Sequence, residues 1–344
     1  MPATIKDVAR AAGVSVASVS RAMNGAANVL PGTRQRILDA AKQLRFTPSG
    51  AARSLITRRT DTIGALLPDL HGEYFSELIR GIDQAARARG LHLLVSSSHG
   101  NADEAAAALR AMNGRVDGLL VMSPHADAEF LSHNLPGSLP AVLINTMIDL
   151  PGHAAFAVDN FGGARAMTRH LAASGRKRIA FIGGPLDNRE AQERLRGYRA
   201  GLRAGLRESV FEGDFSEAAG ASAGRRIAQA KQRPDAVFAA NDMMAIGCLS
   251  ALAEAGLRVP DDIALAGFDD IPIARYVAPA LTTIRVPIAA LGTAALEALV
   301  KSFKTPPAAD NPTTVLPVEL VVRNSCGAGP PARPLPPGAA PPAH

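Results

Sequence analysis

Apolar positions in the first 46 residues recur every three or four residues, which is the period of helices. The helices predicted from this pattern span residues 5–12, residues 16–24 and a third segment that opens at Pro31. Thr4 is placed to cap the first helix, with Asp7 at its third position, and Gly13 ends it. Ser15 stands at the N-cap of the second helix. The first 46 residues therefore form a predicted three-helix domain.

The third predicted helix carries a stripe of apolar residues at the spacing of one buried face: Ile37, Leu38, Ala41 and Leu44. Residues 47–61, TPSGAARSLITRRTD, interrupt the helical pattern with Pro48 and Gly50. We expect this segment to be a hinge in which residues 51–56 form a short helix only when something stabilises it.

From Thr62 onward, short apolar runs alternate with amphipathic stretches. The predicted strands are residues 62–68, 91–98, 117–124, 141–145, 178–184, 234–242 and 262–270. The predicted helices are residues 75–90, 102–113, 161–174, 190–205 and 243–255. Such alternation indicates an α/β fold of doubly wound parallel sheets. Residues 62–325 exceed what one sheet usually serves, so two lobes are expected, and the Pro-rich residues 326–344 are expected to be disordered.

Charge separates the head from the rest of the chain. Residues 1–60 hold ten Lys and Arg and two acidic residues, a net charge of +8, whereas the whole chain carries +6. A basic head on a nearly neutral body indicates a polyanion as the partner of the head alone. The plain alternative is a solvated basic face.

Two cysteines, Cys248 and Cys326, favour neither a disulfide framework nor a zinc site, and no cofactor is expected. We find neither a signal-peptide core at the start nor an apolar run of 18 residues, so a cytoplasmic protein without a membrane partner is expected.

The stretch IKDVARAAGVSVASVSRAMNG has the pattern of a helix-turn-helix, with Gly13 in the turn and Val14 and Val19 between the helices. The second helix then directs outward the side chains of Ser15, Val16, Ala17, Ser20 and Arg21. Residues at this end of a recognition helix meet base edges in the major groove. Arg21 suits guanine or a phosphate, and the small apolar side chains suit thymine methyl groups. Ser18 and Asn24 complete the candidate DNA contacts.

These residues, followed by PGTRQRILDAAKQLRFTPSGAARSL, resemble the DNA-binding domain of the LacI/GalR family of bacterial transcription regulators. The resemblance extends from residue 3 to about residue 325 through DTIGALLPDL, GLLVMSP, RIAFIGG, RLRGY, AANDMMAIG, VPDDIALAGFDD and LPVELVVRNS. It implies a repressor that binds operator DNA as a homodimer. It also implies a core shaped like a periplasmic binding protein, in which a small effector between the lobes controls operator affinity.

The resemblance gives the hinge a role. Residues 49–56 are implied to form a helix only on DNA, where Leu55 from each subunit wedges into the minor groove and Arg53 lies near the backbone. The alternative is a plain disordered linker.

Ligands of open α/β sheets bind beyond the carboxyl ends of the strands. The candidate residues near those ends are Asp69, Tyr74, Phe75, Ser123, Asn145, Asn241 and Asp269. The resemblance assigns Arg194, Asn241 and Asp269 to effector binding and places Phe215 where relatives carry a stacking aromatic. Asn145 lies where relatives often carry an acid.

Three polar residues near helix starts, Asp159, Asn160 and Asp242, are expected to be caps rather than ligands. Asp242 in particular is expected to cap a helix that begins at Met243.

A guanidinium fork, a carboxylate and aromatic faces suit adjacent hydroxyl groups. We therefore expect a sugar or sugar derivative, neutral or nearly so, with a purine stacked on Phe215 as the nearest alternative. Two other protein classes fit less well. A solute-binding protein would lack the basic head, and an enzyme would need a nucleophile elbow, a phosphate loop or metal-ligand spacing that we do not find. Whether the effector releases the operator or promotes its binding stays open at this stage.

Overall fold

The structure, a computed structural model, describes residues 3–23, 28–46, 59–123, 128–135, 139–146, 150–203, 205, 207–305, 307 and 312–328. The described residues divide into two compact units. One runs to Thr62 and includes Gly114–Asp117, and the other comprises the rest. No helix among the described residues is long and apolar enough to cross a membrane.

The first unit, the head, contains three helices: α1 (Ile5–Ala12), α2 (Val16–Met23) and α3 (Pro31–Gln43). The predicted start of each helix and the predicted end of α1 are confirmed, whereas the predicted end of α2 at residue 24 lies outside the described residues. The Asp7 carboxylate accepts hydrogen bonds from the backbone N–H and the hydroxyl of Thr4 at 3.0 and 2.7 Å. Gly13 ends α1 in the left-handed region with φ of 63°. The backbone N–H of Ser18 donates to the Ser15 hydroxyl at 3.2 Å, which caps α2.

A small core holds the three helices of the head together: Val8, Ala9, Ala12, Val19, Ala22, Ile37, Ala40 and Ala41. The predicted stripe on α3 is wrong for Leu38 and Leu44, which are both exposed. The alanines of α1 and α2 allow close approach, so only the narrow face with Ile37 meets them. Leu38 lies about 100° further around the helix, and Leu44 follows its last turn.

Strands and helices alternate through the second unit as the sequence predicts. The strands are β1 (Thr62–Leu67), β2 (His92–Ser97), β3 (Gly118–Val121), β4 (Ala141–Ile144), β5 (Ala154–Val158), β6 (Ile179–Ile182), β7 (Val210–Phe211), β8 (Ala236–Ala239), β9 (Ala264–Ala266), β10 (Thr283–Arg285), β11 (Thr314–Leu316) and β12 (Glu319–Val321). The helices are α4 (Glu73–Arg87), α5 (Ala102–Met112), α6 (Ala128–Asn134), α7 (Asn160–Ala173), α8 (Arg189–Gly201), α9 (Glu217–Ala228), α10 (Asp242–Glu254) and α11 (Ile288–Ser302), with 3₁₀ turns at Pro272–Arg275 and Asn324–Cys326.

Two parallel sheets define two lobes. The first lobe contains a six-stranded sheet in the order β11-β5-β4-β3-β1-β2, and the second a four-stranded sheet in the order β7-β6-β8-β9. The antiparallel pair β10-β12 lies where the chain passes between them. The predicted fold class is confirmed, since the paired strands within each large sheet are parallel and helices connect them.

Parallel register brings the ends of neighbouring strands to one edge of each sheet. Leu66 of β1 pairs with Val121 of β3, and Ile182 of β6 pairs with Ala239 of β8. The loops that follow these strands therefore emerge side by side, which is where a doubly wound fold binds its ligands.

An ion cluster around Asp270 holds the loop after β9. The Asp270 carboxylate accepts from Nε of Arg285 at 2.8 Å and from Nη2 of Arg323 at 2.5 Å, and Nη2 of Arg275 lies 3.8 Å away. Asp269 and Asp270 both have positive φ, 111° and 54°, and this backbone region is unfavourable for residues other than glycine. The cluster therefore stabilises a strained turn next to a candidate site residue.

Asp270→Asn should lower the free energy of unfolding by roughly 2–3 kcal/mol, because it removes the buried charge that three arginines share. Asp261→Asn is the matched control. Asp261 is exposed and lies 3.4 Å from Arg258, so its replacement should cost less than about 0.5 kcal/mol. Urea denaturation followed by circular dichroism measures both. Equal midpoints for the two variants would show that the cluster adds nothing to stability.

Candidate functional site

The predicted DNA-reading face lies at the N-terminal part of α2. Ser15, Val16, Ala17 and Arg21 are exposed there, while Val19 is buried in the core of the head. Nε of Arg21 donates to the carbonyl oxygen of Ala17 at 3.2 Å, which holds the guanidinium along the exposed face. Apolar, hydroxyl and guanidinium groups thus share one surface, as a helix that enters the major groove requires.

The other candidate DNA contacts are less exposed or fall elsewhere. Ser18 and Ser20 are half-buried on α2. Asn24, Arg53 and Leu55 lie outside the described residues, so the predicted hinge and its wedge remain predictions.

A cavity of about 290 Å³ opens at the carboxyl ends of the strands of both lobes. Its lining consists of Pro68, Asp69, Tyr74, Phe75, His99, Gly100 and Met122 from the first lobe, and Pro185, Asn188, Glu190, Arg194, Asp214, Phe215, Asn241 and Asp269 from the second. Seven of the predicted effector contacts are therefore brought together. Ser123 and Asn145 are not among the lining residues, although both are buried close to the ends of β3 and β4.

Arg194 lies at the centre of the second-lobe wall and is only 3% exposed. Its Nε donates to Oδ1 of Asn160 at 2.8 Å and its Nη1 to the carbonyl oxygen of Ala240 at 2.6 Å. Nη2 lies 3.1 Å from Oδ1 of Asp269. The guanidinium also stacks on Phe268, with Cζ 3.9 Å from the ring centroid. Each nitrogen of the buried guanidinium thus has a polar partner, and the face of the guanidinium lies on an aromatic ring.

Asn160 has a role that the sequence analysis missed. Asp159 caps α7 as predicted, since its carboxylate accepts from the N–H of Gly162 at 2.7 Å. Asn160, expected to be a cap as well, instead turns its side chain toward Arg194. It positions that guanidinium from the first turn of α7.

Glu190 is the principal site residue that sequence reasoning did not find. Its side chain lines the cavity from the first turn of α8, and Oε1 accepts from Nδ2 of Asn145 at 2.8 Å. Burial raises the pKa of Glu190 to about 7, although Arg194 opposes the shift, while Asp269 adds to it. Helix 190–205 was predicted, yet nothing in its periodicity distinguishes a cavity-facing acid from a solvated one.

The Asn145 amide binds the side chain of Glu190 and holds that acid at this part of the cavity. Nδ2 donates both to Glu190 and to the hydroxyl of Tyr74, at 2.8 and 2.9 Å. Relatives of this chain were expected to carry an acid at position 145. Here Asn145 lies behind the wall, and the acid comes from α8 instead. Oδ1 of Asn145 has no hydrogen-bond partner within the described part of the chain.

Asp269 and Tyr74 are also shifted in pKa. Burial raises the pKa of Asp269 to about 6, and Arg194 opposes this through its charge and its hydrogen bonding. Burial raises the pKa of Tyr74 well above its ordinary value, and Glu190 adds to that effect. The phenol therefore stays neutral, and each carboxyl can hold a proton near neutral pH.

The N-cap of α10, the helix that follows β8, differs from the prediction. Asn241, rather than Asp242, caps α10, because its Oδ1 accepts from the N–H of Met244 at 3.0 Å. Asp242 is structural as predicted but is the first helical residue. Its buried carboxylate accepts from the Thr283 hydroxyl at 2.6 Å and from the N–H of Ile271 at 3.0 Å. Thr283 and Ile271 are distant in sequence, so the contact could not be read from local spacing.

Asn188 is a second cap that lines the cavity. Its Oδ1 accepts from the N–H of Ala191 at 2.9 Å at the start of α8. Asn241 likewise combines its cap with a bond from Nδ2 to the carbonyl oxygen of Phe215 at 2.9 Å. One N–H group in the first turn of α8 and one in that of α10 are thus satisfied by the protein's own amides.

Aromatic rings form the remaining walls. Tyr74 and Phe75 meet edge to face with centroids 5.5 Å apart, and Phe215, which has a φ of 73°, also lines the cavity. Asp69 is exposed at the rim, where Oδ1 accepts from the N–H groups of Leu70 and His71 at 2.6 and 3.0 Å. No group of three or more His, Cys, Asp or Glu in the described ranges is arranged to hold a metal ion.

Comparison with known proteins accounts for both parts of the chain. Residues 4–49 match the family model described as bacterial regulatory proteins, lacI family. Residues 168–326 match the periplasmic binding protein-like domain.

Individual relatives span most of the chain. The ribose operon repressor of Escherichia coli strain K12 is 37% identical over 313 residues, which cover 88% of this chain and 94% of that protein. The HTH-type transcriptional repressor PurR of Aliivibrio salmonicida is 35% identical over 309 residues, with 88% and 92% covered. The crystal structure of the lac repressor dimer bound to operator and the anti-inducer ONPF superposes with a TM-score of 0.83 at 28% identity, covering 95% of this chain and 99% of that one. The three-helix head, the two-lobed core and the sequence along most of the chain all match these proteins. The chain therefore belongs to the LacI family of bacterial regulatory proteins.

Proposed function

We propose that the protein represses transcription by binding operator DNA through α2, and that a sugar or sugar derivative in the cavity controls this binding. The observation that carries the DNA half is the exposed face of Val16, Ala17 and Arg21 on the second helix of a helix-turn-helix. A solved structure that superposes along nearly the whole chain is the lac repressor dimer bound to operator. Regulation, rather than catalysis, is therefore the proposed role.

The observation that carries the effector half is the pairing of Arg194 with Asp269 in a cavity that also has aromatic walls. A carboxylate accepts from one hydroxyl while a neighbouring hydroxyl accepts from the guanidinium, and the C–H face of a sugar packs on a ring. Glu190 supplies a further hydroxyl acceptor. Two relatives indicate the competing classes, since one is named for a ribose operon and another is the repressor PurR.

The switch is proposed to work through a homodimer. Effector binding between the lobes favours one arrangement of the core, and residues 49–56, with Arg53 and Leu55, form DNA-bound helices only in the other. A ligand can shift this equilibrium only by its differential affinity for the two arrangements. Residues 47–58 lie outside the described residues, so the hinge mechanism rests on family resemblance and on the sequence.

Arg21→Ala should weaken operator binding by about 1–3 kcal/mol and relax the preference at one base pair, because a base-reading arginine discriminates as well as attracts. The operator is first selected from a random DNA library, and every single-base variant is then measured by fluorescence anisotropy. Arg10→Ala removes the same charge from α1, where Arg10 lies 3.4 Å from Asp7, and should weaken all variants alike. A uniform loss for Arg21→Ala as well would reduce Arg21 to a phosphate contact.

Calorimetry of the full-length protein against sugars, sugar alcohols, nucleobases and dicarboxylates tests the effector class. Polyols should bind most tightly, since the cavity offers hydroxyl acceptors and aromatic faces but few cations. A bisphosphate or dicarboxylate would face Asp269 and Glu190 and should bind weakly. Tighter binding of a nucleobase or a multiply charged anion than of every polyol would contradict the proposal that the effector is a sugar or sugar derivative.

Arg194→Ala should abolish any effector response and also destabilise the second lobe by about 3–5 kcal/mol, because Asp269 would stay buried without its cation. Arg196→Ala, on the same helix, removes an exposed arginine that pairs with Glu193 at 2.6 Å. It should cost less than about 1 kcal/mol. Thermal unfolding compares the two, and an unchanged midpoint for Arg194→Ala would contradict the structural part of this role.

A further inference from the structure

Acidic groups outnumber cationic ones around the cavity. Among the described residues, the acids that line it are Asp69, Glu190, Asp214 and Asp269. Only Arg194 and His99 are basic, and His99 is already paired with Glu104 at 2.5 Å, outside the lining. A solvated rim tolerates such an excess, but the inner wall does not, because desolvated charges require partners.

Of the two inner acids, Glu190 and Asp269, Glu190 lies farther from a cationic atom. It is 8% exposed, and its closest cationic atom, Nη2 of Arg194, lies 3.9 Å from Oε1. That same nitrogen is nearer to Asp269, at 3.1 Å. Asn145 satisfies Oε1, while the described residues make no hydrogen bond to Oε2. One carboxylate oxygen on the cavity wall therefore lacks a donor.

The surroundings of Glu190 favour its ionised form once a cation is present. It is the second residue of α8, where the partial positive charge of the helix terminus favours a carboxylate. Asn188 caps this terminus by accepting from the N–H of Ala191, and the Glu190 side chain lines the cavity beside it.

The aromatic walls of the cavity also favour a cationic ligand. Tyr74, Phe75 and Phe215 line the cavity, and aromatic faces attract cations as well as sugar C–H groups. A neutral polyol would satisfy the rings and some of the acceptors, yet it would leave the excess negative charge of the inner wall unchanged.

We propose that the effector is a polyol that carries one protonated amine, and that the amine forms an ion pair with Oε2 of Glu190. This rests on the proposed function of the cavity as the effector site. The hydroxyl groups of the polyol bind Asp269 and Arg194, and its single positive charge meets the Glu190 carboxylate, whose nearest cationic atom is 3.9 Å away.

The proposal has a defined pH dependence. Burial raises the pKa of Glu190 to about 7, so near neutral pH about half of the apo protein holds a proton there. Binding an ammonium requires the ionised carboxylate and releases that proton. Affinity should therefore rise about tenfold between pH 6 and pH 8, which is the span of one titration centred near pH 7.

The groups that face Glu190 are Arg194 on α8, Asp269 after β9 and Tyr74 on α4. The pKa of Tyr74 is raised well above its ordinary value, so its phenol stays neutral over this range. Asp269, whose pKa is raised to about 6, ionises in the same direction as Glu190 and strengthens the trend. A neutral polyol that accepts a hydrogen bond from protonated Glu190 would instead lose affinity as the pH rises.

Isothermal titration calorimetry of the full-length protein tests the proposal with matched pairs that differ only in an amine or a hydroxyl. The probes are 1-amino-1-deoxyalditols beside the parent alditols, and 2-amino-2-deoxyhexoses beside the parent hexoses. At least one amine should bind more than tenfold tighter than its hydroxyl partner at pH 7.5. The pH series uses the 1-amino-1-deoxyalditols, because their alkylamines stay protonated throughout.

Glu190→Gln keeps the acceptor for Asn145 and removes the charge, so it should abolish the preference for the amine and the rise in affinity with pH. Glu193→Gln is the matched control on α8. Glu193 pairs with Arg196 and does not line the cavity, so this variant should keep both properties. Circular dichroism establishes that each variant is folded. The comparison of amines with their hydroxyl partners on the wild-type protein does not depend on either variant.

Equal or tighter binding of the hydroxyl partners, or no binding by any amine in the set, overturns the amine assignment. If the polyols still bind, the proposed function survives that result. If a nucleobase or a dicarboxylate binds more tightly than every member of the set, the proposed effector class fails with it.

Discussion

A buried guanidinium organises the second lobe. Each of the three nitrogens of Arg194 has a partner on a separate element: Asn160 at the start of α7, the carbonyl of Ala240 after β8, and Asp269 after β9. Because a desolvated cation without these partners would be strongly destabilising, the three elements are held in one arrangement. The same side chain lines the cavity, so a ligand there touches the residue on which the position of the strand ends depends.

Much of this site follows from local pattern and one topological rule. Capping and turn residues predict the helices of the head. The rule that ligands bind beyond the strand ends singles out Asp269 and Asn241, and both line the cavity. The rule fails where side-chain direction decides. Ser123 and Asn145 follow strands and are buried, yet they do not line the cavity. Glu190 lies on a helix turn, where only contacts with residues distant in sequence show that it faces the cavity. Such contacts depend on the completed fold.

The two functional surfaces of the chain have opposite electrostatic character. The first 60 residues carry a net charge of +8, which draws the head to any phosphate backbone and makes its binding sensitive to salt. The cavity, in contrast, has more acids than bases along its lining. Nucleic acid and other polyanions are therefore attracted to one part of the molecule and repelled from the other, so the two kinds of partner do not compete for a shared surface.

Two amides in the cavity wall, Asn188 and Asn241, also hold the first turns of α8 and α10. Replacing either one to suit a new ligand would remove a helix cap, at a cost of about 1 kcal/mol. Phe75 in the first-lobe wall holds no helix cap, since it lines the cavity and packs against Tyr74 and the hydrophobic core. Divergence toward other ligands would therefore proceed more readily by substitution in the first lobe, with the second lobe retained as an inherited frame.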